Sequence, residues 1–172
     1  MDARYRELVG RVDAFVARVA ARHPAELACR AGCDGCCRTR LTVTAVEAAA
    51  IEAWAAEQPA EARAAIAAAA RAPVEPASVR CAALDGDGRC RIYPARPLVC
   101  RSHGIPIRLR DGRGLPVVTA CELNFRAAGP GAADADCVLD QELVSTTLGL
   151  VDRAAHPGAD RRDLAAVLVS LA

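Results

Sequence analysis

Cysteine constrains this chain more than any other residue type, because nine cysteines occur among 172 residues. Four of them lie within residues 29–37, where Gly32 and Gly35 supply the backbone freedom that tight turns need. The next four in the chain each lie in or beside a predicted turn. Metal ligands commonly come from such turns, because a metal needs several sulfur atoms that approach from different directions. The spacing therefore predicts a metal centre built from thiolates.

The predicted ligands are the eight cysteines of these groups: Cys29, Cys33, Cys36, Cys37, Cys81, Cys90, Cys100 and Cys121. Short spacings such as Cys33-x2-Cys36 are typical of zinc sites and of iron–sulfur clusters alike. An iron–sulfur cluster, for example 4Fe–4S, is slightly favoured over zinc. Whether Cys36 or Cys37 binds stays open, because adjacent side chains of an extended segment point to opposite sides. Cys137 stands alone before a predicted helix and is expected to be a buried structural cysteine.

Thiolate ligands leave such a centre negatively charged, and arginines close to them in sequence can offset that charge. Arg96 and Arg101, which flank Cys100, are the predicted second-sphere residues that donate hydrogen bonds to sulfur. His103 follows Cys100 by three positions and is a candidate turn residue, ligand or proton donor. His23 and His156 each precede a proline at a predicted helix end, and we expect no chemical role for them.

Charge and composition restrict the partners and the compartment. The formal net charge is +1, so no strong field favours nucleic acid or an anionic membrane surface. All 22 basic residues are arginine, which excludes a Schiff-base lysine and a phosphate-loop lysine. No apolar segment follows the N-terminal charges, so a cytoplasmic location is expected, where cysteines more often bind metal than form disulfides. A peptide or protein substrate remains open, as does the oligomeric state.

The hydrophobic periodicity predicts a mostly α fold with short β-hairpins, an α+β chain in which amphipathic helices surround a cysteine-rich centre. We expect one domain, residues 1–172, with an N-terminal helix in 1–28, a metal-binding core in 29–125 and a C-terminal helical pair in 137–172. Helices are predicted over residues 3–22, 44–57 and 59–71, and the second opens on a capping box of Thr44 and Glu47. Hairpins are predicted around residues 85–88 and 111–114, and chain breaks at Pro73 and Pro76. The last two helices are expected to carry Leu139 to Val151 and to begin after Asp160.

Three segments of the chain resemble the YkgJ-type zinc- or iron-chelating family, which is named for its CxxCxxCC cysteine cluster. They are Cys29-x3-Cys33-x2-Cys36-Cys37 with Thr44-x2-Glu47, the run from Cys81 through Cys90-Arg91-Ile92-Tyr93 to Arg96-Pro97 and Cys100-Arg101, and Cys121-Glu122-Leu123-Asn124-Phe125. Three residues separate Cys29 from Cys33, where the family has two. The resemblance implies a cysteine-bound zinc or iron centre within residues 29–125. Some relatives act in protein lysine methylation, but this chain is much shorter and that activity is not transferred to it.

The residues leave three functions open. The first is a protein that holds an iron–sulfur cluster or zinc without catalysis of its own. The second is a metal-dependent enzyme that modifies a peptide or protein by methylation or oxidation. The third is a structural zinc module for protein contacts, in which the metal would contribute to folding. Cys29-x3-Cys33-x2-Cys36 also has the spacing of radical S-adenosylmethionine enzymes, yet too few predicted strands follow it for their partial barrel.

Overall fold

The structure of the protein is a computed structural model that describes residues 1–71 and 80–172. Within these ranges the helices are α1 (Ala3–Arg22), α2 (Ala45–Ala56), α3 (Ala60–Arg71), α4 (Leu98–Ser102), α5 (Gln141–Ala155) and α6 (Leu164–Val169). The strands are β1 (Thr42–Val43), β2 (Ile107–Arg110), β3 (Pro116–Thr119), β4 (Leu139–Asp140) and β5 (Arg162–Asp163). The predicted fold class, mostly α with short β-hairpins, is confirmed. In the described ranges no helix is long and apolar enough to cross a bilayer.

Two small sheets connect distant parts of the chain. In the first, β1 pairs antiparallel with β5, and Thr42 lies opposite Asp163. In the second, β2 lies between β3 and β4. The β2–β3 pair is the predicted hairpin, whereas β4 is parallel to β2, with Leu139 opposite Ile107. The sheets therefore attach the C-terminal helices to the cysteine-containing part of the chain.

Polar caps determine where the first two helices begin. The Oδ1 atom of Asp2 accepts hydrogen bonds from the backbone N–H groups of Arg4 and Tyr5, which would otherwise have no partner at the start of α1. At the start of α2, the N–H and hydroxyl groups of Thr44 both donate to Oε2 of Glu47, so the predicted capping box is present. These caps explain why the predicted bounds of α1 and α2 agree with the observed ones to within a residue.

Among the described residues, three clusters of buried apolar residues hold the elements together. The first joins α2, α3 and α6 with the segment around Ala83 and Ile92. The second lies between α1, α2, α4 and α5 and includes Tyr5 and Leu98. The third packs the end of α1 against Phe125, Cys137 and the start of β2. Each cluster borders a segment that carries cysteines, so core packing positions the predicted ligands.

The structure corrects the sequence prediction at three places. Leu139 belongs to β4 and not to the fifth helix, since it pairs with Ile107 of β2. The last helix begins at Leu164 and is capped by Asp163, not Asp160, because residues 162–163 are held in a strand by β1. The hairpin predicted around residues 85–88 has only the isolated bridge of Leu84 and Cys90 among the described residues. The predicted breaks at Pro73 and Pro76 lie outside the described residues.

The first core cluster provides a direct test of this packing. Leu168 of α6 is 0% exposed, whereas Leu150 of α5 is 57% exposed. We expect Leu168→Ala to lower the free energy of unfolding by about 2–5 kcal/mol, because it removes buried methyl groups and leaves a cavity. Leu150→Ala should change it by less than about 0.5 kcal/mol. Urea denaturation followed by circular dichroism measures both, and equal midpoints for the two variants would contradict the assigned core.

Candidate metal centre

The first cysteine segment is a succession of two tight turns. The N–H of Cys33 donates to the carbonyl of Arg30 at 3.0 Å, and the N–H of Cys37 donates to the carbonyl of Asp34 at 2.8 Å. The second turn is the 3-10 helix Gly35–Cys37. Turns of this kind present neighbouring thiols in different directions, which is what a metal knuckle requires.

The second cysteine segment contacts the first through the backbone. The N–H of Cys81 donates to the carbonyl of Cys37 at 2.8 Å, so these two cysteines are joined directly. The turn that follows also approaches closely, because a Cβ atom on Gly88 would lie 3.1 Å from the carbonyl oxygen of Gly32. Gly88 has φ of 76°, which few other residues adopt without strain. The Leu84–Cys90 bridge then returns Cys90 toward Cys81.

Cys100 lies on α4, and a buried carboxylate holds the start of that helix. Glu47 is 3% exposed, and its Oε1 atom accepts a hydrogen bond from the N–H of Leu98 at 3.0 Å. Its other oxygen serves the capping box of α2. Glu47 therefore fixes α4 relative to α2, and with it the position of Cys100. The sequence prediction identified the capping box but not this second contact.

Cys29 is positioned by Asn124, a residue that the sequence prediction quoted only as part of the family resemblance. Asn124 is 3% exposed, and its Nδ2 group donates to the Gly104 carbonyl at 2.7 Å and to Sγ of Cys29 at 3.3 Å. Its Oδ1 atom accepts a hydrogen bond from the N–H of Ala28 at 2.8 Å. A Cβ atom on Gly104 would lie 3.1 Å from the same sulfur, and the φ of Gly104 is 103°, so glycine suits this position beside Cys29.

The thiols of several segments lie close enough to influence one another electrostatically. Burial raises the pKa of Cys37 to about 12, and the charges of Cys36, Cys81 and Cys100 raise it as well. Burial likewise raises the pKa of Cys100 to about 12, with further contributions from Cys81, Cys90 and Cys36. Both thiols are protonated at neutral pH unless a cation stabilises the thiolates.

Two more cysteines, Cys33 and Cys121, take part in these electrostatic interactions. Desolvation raises the pKa of Cys36, and the charges of Cys33 and Cys121 raise it too. Burial also raises the pKa of Cys81 and of Cys90. The structure thus places each of seven predicted thiols within electrostatic range of at least one other: Cys33, Cys36, Cys37, Cys81, Cys90, Cys100 and Cys121. Cys29 is placed beside Gly104 and Asn124, and the ligand set as a whole stays a prediction.

The spacing of these thiols bears on which metal fits them. In tetrahedral zinc sites the zinc–sulfur bond of about 2.3 Å places the sulfur atoms about 3.8 Å apart. The Sγ atoms of Cys36 and Cys37 are 3.9 Å apart. In residues 1–71 and 80–172, however, no three cysteine sulfurs lie within 4.8 Å of one another. A donor set made only of sulfur is chemically suited to zinc or iron. Taken three at a time, the cysteine sulfur atoms of the described residues lie farther apart than the four sulfurs around one zinc ion.

The predicted second-sphere residues differ in their surroundings. Arg96 stacks on Tyr93, with the guanidinium carbon 3.9 Å from the ring centre, and its charge lowers the pKa of Cys90, which burial raises. Its buried Nε atom has no hydrogen-bond partner among the described residues. Such a donor beside a cysteine suits a metal-bound sulfur.

Arg101 and His103 have other surroundings. The guanidinium of Arg101 donates to Asp13 at 2.7 Å and to the carbonyls of Pro94 and Arg96, so it holds the turn between Cys90 and Cys100. His103 follows α4, and desolvation lowers its pKa, which leaves the imidazole neutral at pH 7. A role of either residue toward the metal stays a prediction.

A second group of ligand atoms, which the sequence prediction missed, comes from residues outside the eight predicted cysteine ligands. His23, Asp134 and Cys137 place their ligand atoms within 4.8 Å of one another. Cys137 is 0% exposed, so its predicted burial is confirmed. We expected no chemistry from His23, which precedes a proline at a helix end, or from Cys137, which stands alone before a predicted helix. The two residues are 114 positions apart, so nothing local connects them. The spacing Asp134-x2-Cys137 was the available signal.

The contacts of Asn124 generate a testable prediction. Asn124→Asp keeps the acceptor for Ala28 but removes the donor to Gly104 and Cys29, so a carboxylate would face a carbonyl oxygen. We expect the free energy of unfolding to fall by about 1–3 kcal/mol, because the Gly104 carbonyl loses a buried partner. Alkylation of Cys29 by iodoacetamide, followed by peptide mass spectrometry, should become slower, because the new carboxylate repels the thiolate that reacts.

Gln58→Glu is the matched control, because Gln58 also donates its amide to a carbonyl, that of Trp54, but at a more exposed position. We expect its effect on unfolding to be below about 0.5 kcal/mol and Cys29 to react at the original rate. Equal behaviour of the two variants would remove the assigned role of Asn124.

Comparison with known proteins identifies one family. Residues 28–112 match the model of the family CxxCxxCC, described as "Putative zinc- or iron-chelating domain". No curated protein and no solved structure matches the chain. The matched range includes seven of the eight predicted ligands, all except Cys121. The chain therefore belongs to the CxxCxxCC family of zinc- or iron-chelating domains through its residues 28–112.

Proposed function

We propose that the protein binds an iron–sulfur cluster through the thiolates of its clustered cysteines. The observation that supports this most directly is that seven thiols from four separate segments lie within electrostatic range of one or more of the others. Thiols that are protonated and partly buried gain most from a cation, because binding replaces their protons and offsets the charge that burial disfavours. The family description, zinc or iron chelation, agrees with that donor set.

The spacing of the cysteine sulfur atoms favours an iron–sulfur cluster over a single zinc ion. Around one zinc ion, four sulfurs must come within about 4 Å of each other. In the described residues the cysteine sulfurs form no group of three even within 4.8 Å. A cluster places several iron and sulfide ions between its thiolates, so its ligand sulfurs stand farther apart. The absence of a sulfur triple within 4.8 Å in the described residues therefore supports a cluster over a single zinc ion.

The charge around the centre also suits an anionic cluster. Arg96 brings a guanidinium toward Cys90, and its buried Nε–H group has no partner among the described residues. A sulfur atom bound to iron is an acceptor for such a donor. Because Arg101 fixes the backbone carbonyl of Arg96, the guanidinium is attached to a restrained part of the turn. We infer that Arg96 stabilises the negative charge of the bound cluster.

Elemental analysis of protein purified without oxygen tests the proposal. We expect a brown protein that contains iron and acid-labile sulfide in equal amounts. A colourless protein with bound zinc and no sulfide would contradict the cluster and support the structural zinc module instead. Protein that takes up neither iron nor zinc would contradict both.

Substitution of Cys100 in α4 tests whether this cysteine is a metal ligand. Cys100→Ser should lose most of the bound iron, because a hydroxyl is a poor replacement for a thiolate. Val99→Ser is the matched control, since Val99 is the preceding residue of the same helix and is 47% exposed. It should keep the iron and sulfide of the unsubstituted protein. If Cys100→Ser retained full iron and sulfide, Cys100 would not be a ligand.

The role of Arg96 predicts a shift in reduction potential. Reduction adds negative charge to the cluster, and a nearby guanidinium stabilises the reduced form. We therefore expect Arg96→Gln to lower the reduction potential in a spectroscopic titration with a mild reductant. Arg113→Gln, in the exposed turn between β2 and β3, should leave the potential unchanged. An unchanged potential in Arg96→Gln would assign Arg96 to packing against Tyr93 alone.

A further inference from the structure

We propose that His23, Asp134 and Cys137 form a second metal site, separate from the cysteine centre, that binds zinc with a fourth position left to water. Their ligand atoms lie within 4.8 Å of one another, the only such group of His, Cys, Asp and Glu in residues 1–71 and 80–172. One nitrogen, one oxygen and one sulfur donor are a set that zinc accepts. All three residues lie outside the segment 28–112 that matches the family.

Local structure explains why Asp134 and Cys137 meet. The N–H of Cys137 donates to the carbonyl of Asp134 at 2.7 Å and closes the 3-10 turn of residues 135–137. A turn of this length brings side chains three positions apart to the same side. It therefore presents a carboxylate and a thiol together, with the spacing of two intervening residues that is common in zinc sites.

His23 reaches the same place from the C-terminal end of α1. Its ring packs against Phe125 with 5.4 Å between ring centres, and Phe125 is itself held by a hydrogen bond from its N–H to the carbonyl of Glu26. Phe125 adopts φ of 53°, unusual for a residue other than glycine. The imidazole is thus supported on one side by a residue whose own conformation is fixed.

The His23 nitrogen that faces the site makes only long contacts. The N–H of Asp134 points toward Nε2 of His23 at 3.5 Å, a long and weak contact. Nε2 also lies 3.5 Å from Oδ2 of Asp134. A zinc ion between the two side chains would replace these long contacts by coordinate bonds, with Nδ1 carrying the ring proton.

The charges around the group balance when a divalent ion is present. Arg22 contacts Asp134 at 3.2 Å and Asp136 at 2.6 Å, so its positive charge is already paired with these two carboxylates. Binding would remove the thiol proton of Cys137 to water and form a sulfur–zinc bond. The two ligand anions, Asp134 and the Cys137 thiolate, then match the charge of Zn²⁺, while Arg22 and Asp136 match each other. Arg22 would also orient the carboxylate, as outer contacts of metal ligands do.

Burial gives the site a closed side and an open side. Cys137 is 0% exposed, the His23 side chain is 17% exposed and the Asp134 side chain is 49% exposed. A metal ion could therefore enter past the carboxylate and stop at the thiol. The solvent side supplies the water ligand of the fourth position. Sites with three protein ligands and one open position are common for zinc.

Histidine signals provide a direct test, because the chain has only three histidines. In protein labelled with ¹⁵N at histidine, each ring gives its own nitrogen resonances, and His→Gln variants assign them. We add Zn²⁺ to the full chain as purified, with its cysteine centre occupied. We expect the Nε2 resonance of His23 to shift at one equivalent, while that of His156 stays in place. With ¹¹³Cd²⁺ instead, Nε2 of His23 should show scalar coupling to the metal.

Controls separate this site from the cysteine centre and from a general loss of structure. His156 is the matched control, since it also ends a helix immediately before a proline. Cys137→Ala and Asp134→Asn should each weaken the His23 response at least tenfold in zinc concentration. The iron and sulfide content should stay unchanged in both. Asp134→Asn keeps the proposal testable if loss of the buried thiol prevents folding.

Three results would overturn the proposal. One is a His23 resonance that does not move at a saturating concentration of Zn²⁺ and shows no coupling to ¹¹³Cd²⁺. Another is an equal response in Asp134→Asn and in the unsubstituted chain, which would mean that His23 binds metal without these partners. A shift confined to His103 would place the added ion at the cysteine centre and would also reject the second site.

Discussion

Partly buried thiols that lie near one another resist ionisation, because burial and the charges of neighbouring thiolates both raise their pKa values. Much of the structure serves to hold these thiols in position. Burial and mutual repulsion raise the pKa of Cys37 and of Cys100 to about 12. Thiolates in such a place are stable only when a cation compensates them. The fold must therefore bring the sulfur atoms together without help from their charge. The fold brings them together through backbone hydrogen bonds and through the hydrogen bonds of side chains such as Glu47 and Asn124.

Three of these contacts connect the separate cysteine segments. The Cys81–Cys37 backbone hydrogen bond joins the first two segments. Glu47 holds the start of α4, which carries Cys100, and Asn124 holds Cys29 beside Gly104. The last two connections use side chains that are only 3% exposed and are hydrogen-bonded, so each is sensitive to loss of one partner. The metal centre is thus positioned in part by Glu47 and Asn124, which are not themselves predicted ligands.

The sequence predicted the local features of this fold well and its long-range pairings poorly. The Thr44 capping box and the apolar spacing of α1 depend on residues a few positions apart, so their pattern is visible in the sequence. The displacement of Leu139 into β4 and the start of α6 at Leu164 depend on pairing with β2 and β1, far away in the chain. The cysteine groups were recognisable because knuckle spacings are local. The group of His23 with Asp134 was not, since only the folded chain brings them together.

The two candidate sites differ in the kind of ion that each would select. The cysteine centre offers sulfur alone, a soft donor set that suits iron–sulfur clusters and zinc. His23, Asp134 and Cys137 offer one nitrogen, one oxygen and one sulfur, which suits zinc but does not suit a cluster held by four thiolates. Phe125 belongs to the third core cluster together with Cys137, and its neighbour Asn124 contacts Cys29. Because adjacent residues support the two places, an ion bound at the smaller one would also restrain the backbone that positions Cys29.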